Sequence, residues 1–206
     1  MRVGSVEAMT TTTRTRVRRS AVGVAAVGII VGGAVVWSAP ERYFPWDTAD
    51  FPAASSNLTP AQQRVLSVAG QEHDEPRPGT FYAEGVEEAW CADFVSWVMR
   101  ESGMPLENPN SGSWRIPGVY TLTEYYQEQG RFEPVGDYRP AVGDVVLYES
   151  GGPLGNVLVG QHTNIVVAVD GDSVTTVGGN EMGGIRVHDL AVDDDSAVLG
   201  FGRLEP

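Results

Sequence analysis

The sequence predicts an α+β fold in which helices come first and an antiparallel sheet follows. Between residues 59 and 130, apolar residues recur at helical spacing in three segments that carry capping and stop residues. From residue 145 onward, short β-branched runs alternate with turns that contain Gly and Asp. Helices followed by strands along one chain are typical of α+β domains. A separate apolar segment near the N-terminus predicts a single helix that precedes this domain.

The first helix of the domain is predicted to begin at Pro60. Thr59 as N-cap, Pro60 in the first turn and Gln62 at the third position form a capping box. Three apolar residues give this helix the side that faces the core: Val65, Leu66 and Ala69.

A second helix is predicted over residues 88–100 and contains the only cysteine of the chain. Its apolar residues recur at i, i+3, i+4 and i+7 and therefore share one face: Cys91, Phe94, Val95 and Val98. Gly103 is placed to end the helix in a left-handed conformation. A third helix is predicted over Tyr120–Gln129, with Gly130 as its stop.

Strands are predicted in the second part of the domain at Val145–Tyr148, Ile165–Val169, Ser173–Val177, Ile185–Leu190 and Val198–Leu204. Asp170-Gly171 separates the second run from the third, and this dipeptide is a hairpin signal. The short connections predict an antiparallel meander, in which each strand pairs with the next one along the chain.

The N-terminal region predicts delivery of the domain across a membrane. Arginines are concentrated in residues 1–19, and an uncharged run from Ala21 to Trp37 follows. As a helix this run is about 25 Å long, close to the ~30 Å hydrocarbon core of a bilayer. Residues 20–38 are therefore interpreted as a signal anchor or a cleaved signal peptide. The anchor is favoured, because Trp37-Ser38-Ala39 is a poor cleavage sequence.

Four segments follow from this reading: a basic cytoplasmic N-terminus over 1–19, the signal segment over 20–38, a Pro-containing linker over 39–58 and the domain over 59–206. We expect a single-pass protein of the cell membrane with an extracytoplasmic domain, or a secreted protein if the segment is removed. The net charge is −13, with 27 acidic and 14 basic residues, all of the latter arginine. This acidity argues against nucleic acid as a partner. Protein partners are not indicated.

Cys91 is a candidate nucleophile because of its place in the first turn of the second helix. A helix N-terminus carries unpaired backbone N–H groups and a partial positive charge, which stabilise a thiolate and an oxyanion. The alternative is a small buried apolar residue, the usual role of a free cysteine. One cysteine cannot form an intrachain disulfide.

A cysteine nucleophile needs a base, usually a histidine that the fold brings close. His162 opens a strand that is apolar on both faces, so it is placed to approach a helix packed on the sheet. His73 lies in a polar stretch and is expected to be solvated. His188 alternates with Val187 and is expected to point to solvent. His162 is therefore the predicted base, with a structural histidine as the alternative.

The imidazole in turn needs an acceptor that orients it. Asn180 follows Val177-Gly178-Gly179 at the end of the strand next to that of His162, so the two residues can meet at one end of the hairpin. Glu181 is a rival for this role. The structural alternative for Asn180 is a left-handed residue in a Gly-rich turn.

Four short blocks of sequence occur in order: Trp90–Val95, Pro140–Val146, His162–Val166 and Val177–Asn180. Together they resemble the CHAP family, the cysteine, histidine-dependent amidohydrolases/peptidases. The resemblance implies a papain-like α+β fold and cleavage of amide or peptide bonds in peptidoglycan peptide stems. It implies Cys91 as nucleophile, His162 as base and Asn180 as the polar third residue, without a cofactor. Gly178 stands where some members of the family carry a Glu.

Other readings of the same residues stay open. One alternative is a related enzyme with a different acyl acceptor, such as a transpeptidase. Another is a non-catalytic domain that binds wall fragments or scaffolds an envelope complex. Asp93 and Tyr82 are candidates for a supporting role near the thiol, with a surface position expected for Asp93. Trp90 and Trp114 are candidates for a groove wall or for core packing. No metal-ligand spacing is visible. Residues 193–195, all Asp, are expected to form a solvated turn, with weak cation binding as the alternative.

Overall fold

The computed structural model describes residues 29–31, 34–36, 49–136, 138–149, 161–192 and 197–204. The chain divides into two compact units, Met1–Tyr43 and Phe44–Pro206. Several sequence predictions lie outside the described residues. These are the basic N-terminus over 1–19, most of the signal segment, the first part of the linker and the acidic residues 193–195.

In the N-terminal unit the described residues form two short strands, β1 (Ile29–Val31) and β2 (Ala34–Val36), which pair antiparallel. The sequence analysis predicts a helix here, and at these residues the structure differs from it. Isoleucine and valine dominate both runs, and β-branched residues favour extended backbone where packing does not impose a helix. Among the described residues, none of the helices has the length and apolar character needed to cross a bilayer.

The second unit begins its regular structure with four helices: α1 (Pro60–Asp74), α2 (Gly79–Tyr82), α3 (Cys91–Glu101) and α4 (Val119–Glu128). The predicted capping box at α1 is confirmed, since the Gln62 amide donates to the Thr59 hydroxyl and the Thr59 amide donates to the Gln62 side chain. Gly103 and Gly130 are left-handed, with φ of 78° and 62°, as their predicted stop roles require. The short helix α2 was not predicted.

Six strands form the sheet of this unit: β3 (Phe132–Pro134), β4 (Val145–Tyr148), β5 (His162–Asp170), β6 (Ser173–Glu181), β7 (Gly184–Ala191) and β8 (Val198–Gly202). Their order across the sheet is β3-β8-β4-β5-β6-β7, and every pairing is antiparallel. The predicted meander holds for β4 to β7. It fails at β8, which returns to pair with β4 and accepts β3 on its other side.

Helix α3 packs against β5 and β6, and its predicted apolar stripe is buried. The approach is close because Gly179 on β6 has no side chain. A Cβ at Gly179 would lie 2.5 Å from Cζ3 of Trp90 and 2.7 Å from Cβ of Phe94. A second, smaller apolar cluster lies on the opposite face of the sheet and includes Val166, Leu190 and Phe201. Both faces of the central strands are therefore covered.

Residues 49–58, which the sequence analysis places in the linker, pack against this unit. The Ala49 amide donates to the Val187 carbonyl of β7 at 3.0 Å. The Phe51 ring lies 5.5 Å from the His73 ring, centroid to centroid, and covers Gly70 of α1. The last part of the predicted linker thus contacts both the sheet and a helix.

Candidate active site

Cys91 is the first residue of α3, and its side chain is buried at 5% exposure. The amides of the first helical turn have no carbonyl partner within the helix, and no side chain caps them. The preceding residue, Trp90, stacks on Tyr82 with ring centroids 5.2 Å apart. This stacking and the contact with Gly179 fix the start of the helix, and with it the thiol.

His162 lies between the thiol and a carboxylate. Its ring lies close enough to Cys91 for the two groups to interact and raise its pKa, and its Nε2 lies 3.0 Å from Oε1 of Glu181. The contact with Glu181 occupies Nε2, which leaves Nδ1 as the ring nitrogen available to the thiol. The His162 side chain keeps 20% of its surface exposed, whereas that of Glu181 keeps 5%. The structure therefore brings together a thiol, an imidazole that solvent can reach and a buried carboxylate.

The surroundings shift the pKa values of the imidazole and the carboxyl apart. Burial alone would lower the pKa of His162, but the hydrogen bonds and charges of Cys91 and Glu181 outweigh it and raise that pKa to about 9. Burial alone would raise the pKa of Glu181, but the hydrogen bonds from His162 and His188 outweigh it and lower that pKa. Glu181 is therefore an ionised acceptor that stabilises a protonated His162.

A model of the CHAP domain family matches residues 81–180 of the chain. The chain carries a CHAP domain. CHAP domains are in general hydrolases of the amidase or peptidase type that act on peptidoglycan. The matched range contains Cys91, His162 and Asn180, and it ends one residue before Glu181. Comparisons with curated proteins and with solved structures gave no match.

In this CHAP domain the acceptor at Nε2 of His162 is Glu181, the rival named in the sequence analysis, and not Asn180. Asn180 has a φ of 63°, so its backbone is left-handed. This is the conformation expected if Asn180 is a turn residue and not a catalytic one. The register of β6 against β7 shifts between Gly178 and Glu181. This irregularity lets the carboxylate at 181 reach His162. A catalytic role for the Asn180 side chain stays a prediction.

Gly178 provides the space that this carboxylate fills. A Cβ at Gly178 would lie 2.4 Å from Oε1 of Glu181 and 2.1 Å from Oδ1 of Asn164. Both distances are far below van der Waals contact. Gly178, at the position where some CHAP domains carry a Glu, thus has no side chain. The carboxylate of Glu181 lies in the space next to it.

The expectation that His188 points to solvent is wrong. His188 is 9% exposed, and its Nε2 contacts Oε2 of Glu181. Alternation correctly places His188 on the face of β7 opposite Val187, but that face also carries the buried residues of the second apolar cluster. His73, by contrast, keeps 28% of its side chain exposed and contacts Asp74 at the end of α1. It takes no part in the CHAP site.

Asp93 is fully buried, so the expected surface position is wrong. Its Oδ1 lies 2.7 Å from Nε of Arg115, whose guanidinium also pairs with Glu88. Burial is the largest influence and raises the pKa of Asp93 to about 6, with Arg115 opposing it and Glu88 adding to it. Arg115 thus links the loop before α3 to the first turn of that helix.

Tyr82 and Trp90 are buried, whereas Trp114 is half-buried. Tyr82 is fully buried and donates its hydroxyl to Oε2 of Glu72 at 2.8 Å. Trp90 is 7% exposed and belongs to the main apolar cluster. Trp114 packs against Trp97 with ring centroids 6.2 Å apart. Trp90 is therefore a core residue, as the second of its two sequence interpretations states. Tyr82 links α2 to α1 and does not face a substrate.

Proposed function

We propose that the chain is an exported, membrane-tethered peptidoglycan hydrolase that cleaves an amide or peptide bond in the peptide stem. Cys91 is the nucleophile, His162 the base and Glu181 the residue that orients His162. The observation that carries this proposal is one imidazole that contacts a buried carboxylate and lies close enough to the only thiol of the chain to interact with it. A role in simple packing would not require this arrangement of polar groups.

The first half of the reaction forms a thioester. Nδ1 of His162 takes the proton from Sγ of Cys91, and the thiolate attacks the carbonyl carbon of the scissile bond. The carbonyl electron pair moves to oxygen, where backbone N–H groups of the first turn of α3 stabilise it. When the carbon–nitrogen bond breaks, His162 gives its proton to the leaving amine.

The second half of the reaction regenerates the thiol. His162 takes a proton from a water molecule, whose oxygen attacks the thioester carbon. The carbon–sulfur bond then breaks, the new carboxylic acid leaves, and the proton returns to Cys91. Throughout, the Glu181 carboxylate stabilises the imidazolium form of His162, which is consistent with the raised pKa of that histidine.

Export and tethering rest on the sequence of residues 1–38. The arginine-rich start followed by an uncharged apolar run is typical of a signal anchor. A peptidoglycan substrate lies outside the cytoplasmic membrane, so the proposed activity and the proposed location agree. Cell fractionation with protease treatment of intact cells tests the location: the proposal predicts a membrane-bound chain whose domain is accessible from outside.

Mass spectrometry of purified peptidoglycan incubated with the full-length chain tests the activity. We expect new free amines and fragments heavier by one water, and neither product with Cys91→Ala. A matched Glu101→Ala variant changes an exposed residue at the far end of α3 and should retain the products. Equal products from the wild type and Cys91→Ala would reject the enzymatic proposal. Products that incorporate an added amine instead of water would indicate a transpeptidase.

A further inference from the structure

Glu181 is held from both sides. Its Oε1 lies 3.0 Å from Nε2 of His162, and its Oε2 contacts Nε2 of His188. The side chains of Glu181 and His188 are 5% and 11% exposed. A four-membered chain of side chains therefore runs from the thiol of Cys91 through His162 and Glu181 to His188.

The backbone holds His188 in place for this contact. It pairs with Thr176 in the β6–β7 ladder, and its carbonyl accepts from the Thr176 hydroxyl at 3.5 Å. Arg186, two residues earlier on the same strand, donates from Nε to the Glu181 carbonyl at 3.2 Å. β7 thus fixes the main chain of Glu181 through Arg186 and its carboxylate through His188.

We propose that His188 is a positioning residue that holds the Glu181 carboxylate so that its other oxygen orients His162 toward Cys91. This inference rests on the proposed function, because it assigns a role in the same site. It adds a residue on β7, beyond the part of the chain that the family model matches.

Proton positions follow from the charge of Glu181. An ionised carboxylate only accepts, so His162 and His188 each donate from Nε2. With Nε2 donating to Glu181, Nδ1 is the nitrogen that takes the proton of the thiol, and the imidazolium that results is the form that Glu181 stabilises. Without His188, one carboxylate oxygen loses its donor and the carboxylate is free to rotate away from His162. The thiolate–imidazolium pair of Cys91 and His162 then loses support.

Among the residues that the structure describes, the charged and titratable groups around Glu181 come from three elements. They are His162 on β5, His188 and Arg186 on β7 and, through His162, Cys91 on α3. Asn164 and Thr176 also face this region but do not titrate. A pH profile of the thiol therefore reports on this set of groups.

Alkylation of Cys91 by iodoacetamide measures the thiolate without any peptidoglycan. The chain has one cysteine, so the incorporated mass reports on that residue alone. For His188→Ala in the full-length chain, we expect about tenfold slower alkylation at pH 6, the scale of losing one hydrogen bond to a charged group.

Two variants separate positioning from general damage to the fold. His188→Gln keeps an N–H donor close to the place of Nε2 and should restore most of the alkylation rate at pH 6. His73→Ala removes a histidine outside the site and should leave the whole profile unchanged. Thermal unfolding of each variant shows whether the fold is kept. If His188→Ala does not fold, the alkylation rates of His188→Gln, which keeps an N–H donor, and His188→Leu, which has none, are compared instead.

A double-mutant cycle tests whether His188 acts through Glu181. In a Glu181→Gln background, His188→Ala should slow alkylation by less than twofold, since the carboxylate that it positions is gone. If the two substitutions slow alkylation independently, so that their factors multiply in the double variant, the inference is overturned. An alkylation profile of His188→Ala equal to that of the wild type would overturn it as well. Loss of peptidoglycan cleavage is judged separately. If the wild type cleaves nothing while the alkylation results hold, the proposed function fails and the positioning role of His188 stands.

Discussion

Glu181 and Asp93 are both buried carboxylates close to the proposed nucleophile, yet their surroundings shift their pKa values in opposite directions. Glu181 accepts from two imidazoles, and its pKa is lowered. Asp93 lies against one guanidinium that it shares with Glu88, and its pKa is raised to about 6. Burial disfavours the charged form of both residues.

The difference lies in the donors that face each carboxylate. Two separate N–H donors, one for each oxygen, compensate for the loss of water around Glu181. A single shared cation does not compensate for it around Asp93, where a second carboxylate adds repulsion. Burial of an acid near a thiol is therefore not evidence of a role in the chemistry. The pattern of donors decides which of the two carboxylates supports the imidazole.

The largest expected effect is that of Glu181→Ala on hydrolysis. Loss of the group that orients and stabilises the base should lower kcat/KM by roughly 10²- to 10⁴-fold, the usual scale for general acid–base catalysis. Asp93→Asn, which removes the other buried charge, should lower it by less than about tenfold. Release of free amines from purified peptidoglycan measures both. Similar losses of kcat/KM in the two variants would contradict the distinction between Glu181 and Asp93.

A smaller loss is expected for Gly178→Ala. The new Cβ would press on Oε1 of Glu181 and Oδ1 of Asn164, so the carboxylate must move away from His162. We expect roughly tenfold lower kcat/KM and a destabilisation of about 1–3 kcal/mol. Gly200→Ala is the control on β8, away from the site, where a Cβ would press on the Glu133 carbonyl and the Phe132 ring. It should act mainly on the thermal midpoint. If the control variant lowers kcat/KM more than Gly178→Ala does, Gly178 has no role in the site.

The pH dependence of hydrolysis should show the support that Glu181 gives. Since the pKa of His162 is raised to about 9, kcat/KM should fall only above about pH 9, where the imidazolium loses its proton. In Glu181→Gln the neutral amide supports the imidazolium less, so this basic limb should move to lower pH. Rates measured from pH 5 to 10 test it. An unmoved limb in the variant would separate Glu181 from the titration of His162.

Stability should depend on pH through Asp93. Its pKa is about 6 in the folded chain and 3.8 in the reference state, so the folded chain binds the extra proton between these values. The stabilisation is therefore present below pH 4 and is lost as the pH rises through 6. Relative to Asp93→Asn, the wild type should lose roughly 2 kcal/mol of unfolding free energy between pH 4 and pH 7. Denaturant titrations at both pH values measure this difference, and a constant difference would contradict it.

The smallest effect is expected for Asn180→Gly. If Asn180 serves through its left-handed backbone, glycine keeps that conformation and activity should stay within about threefold of the wild type. Asn180→Ala should be worse, because alanine adopts this conformation less readily. Parallel hydrolysis assays of the two variants decide the question. A large loss in Asn180→Gly would restore the side chain of Asn180 to the catalytic set.

Local patterns in the sequence predict much of this fold. The capping box at Thr59, the stripe of α3 and the hairpin at Asp170-Gly171 are each encoded within a few residues, and the structure confirms them. The return of β8 to β4 and the pairing of β3 with β8 are not encoded locally. They depend on contacts between residues far apart in the chain, which short-range periodicity does not contain.

The contact of His162 with Cys91 was predicted from their places at the start of a strand and of a helix. Glu181 was ranked below Asn180 because an Asn in this role is typical of other Cys-His-Asn sites. The irregular register of β6 that brings Glu181 to His162 is not visible in the sequence. His188 was missed for a different reason. Its side of β7 was predicted correctly, but a sequence pattern does not reveal that the far face of the sheet is also covered.

The amide of Ala49 has a consequence for handling this protein. It binds the Val187 carbonyl of β7, the last strand on that side of the sheet. An open strand edge of this kind is a template for joining other chains. A version cut back to residue 59 would keep Cys91, His162, Glu181 and His188 and still leave that edge bare, inviting aggregation. Recombinant versions are better begun upstream of Ala49.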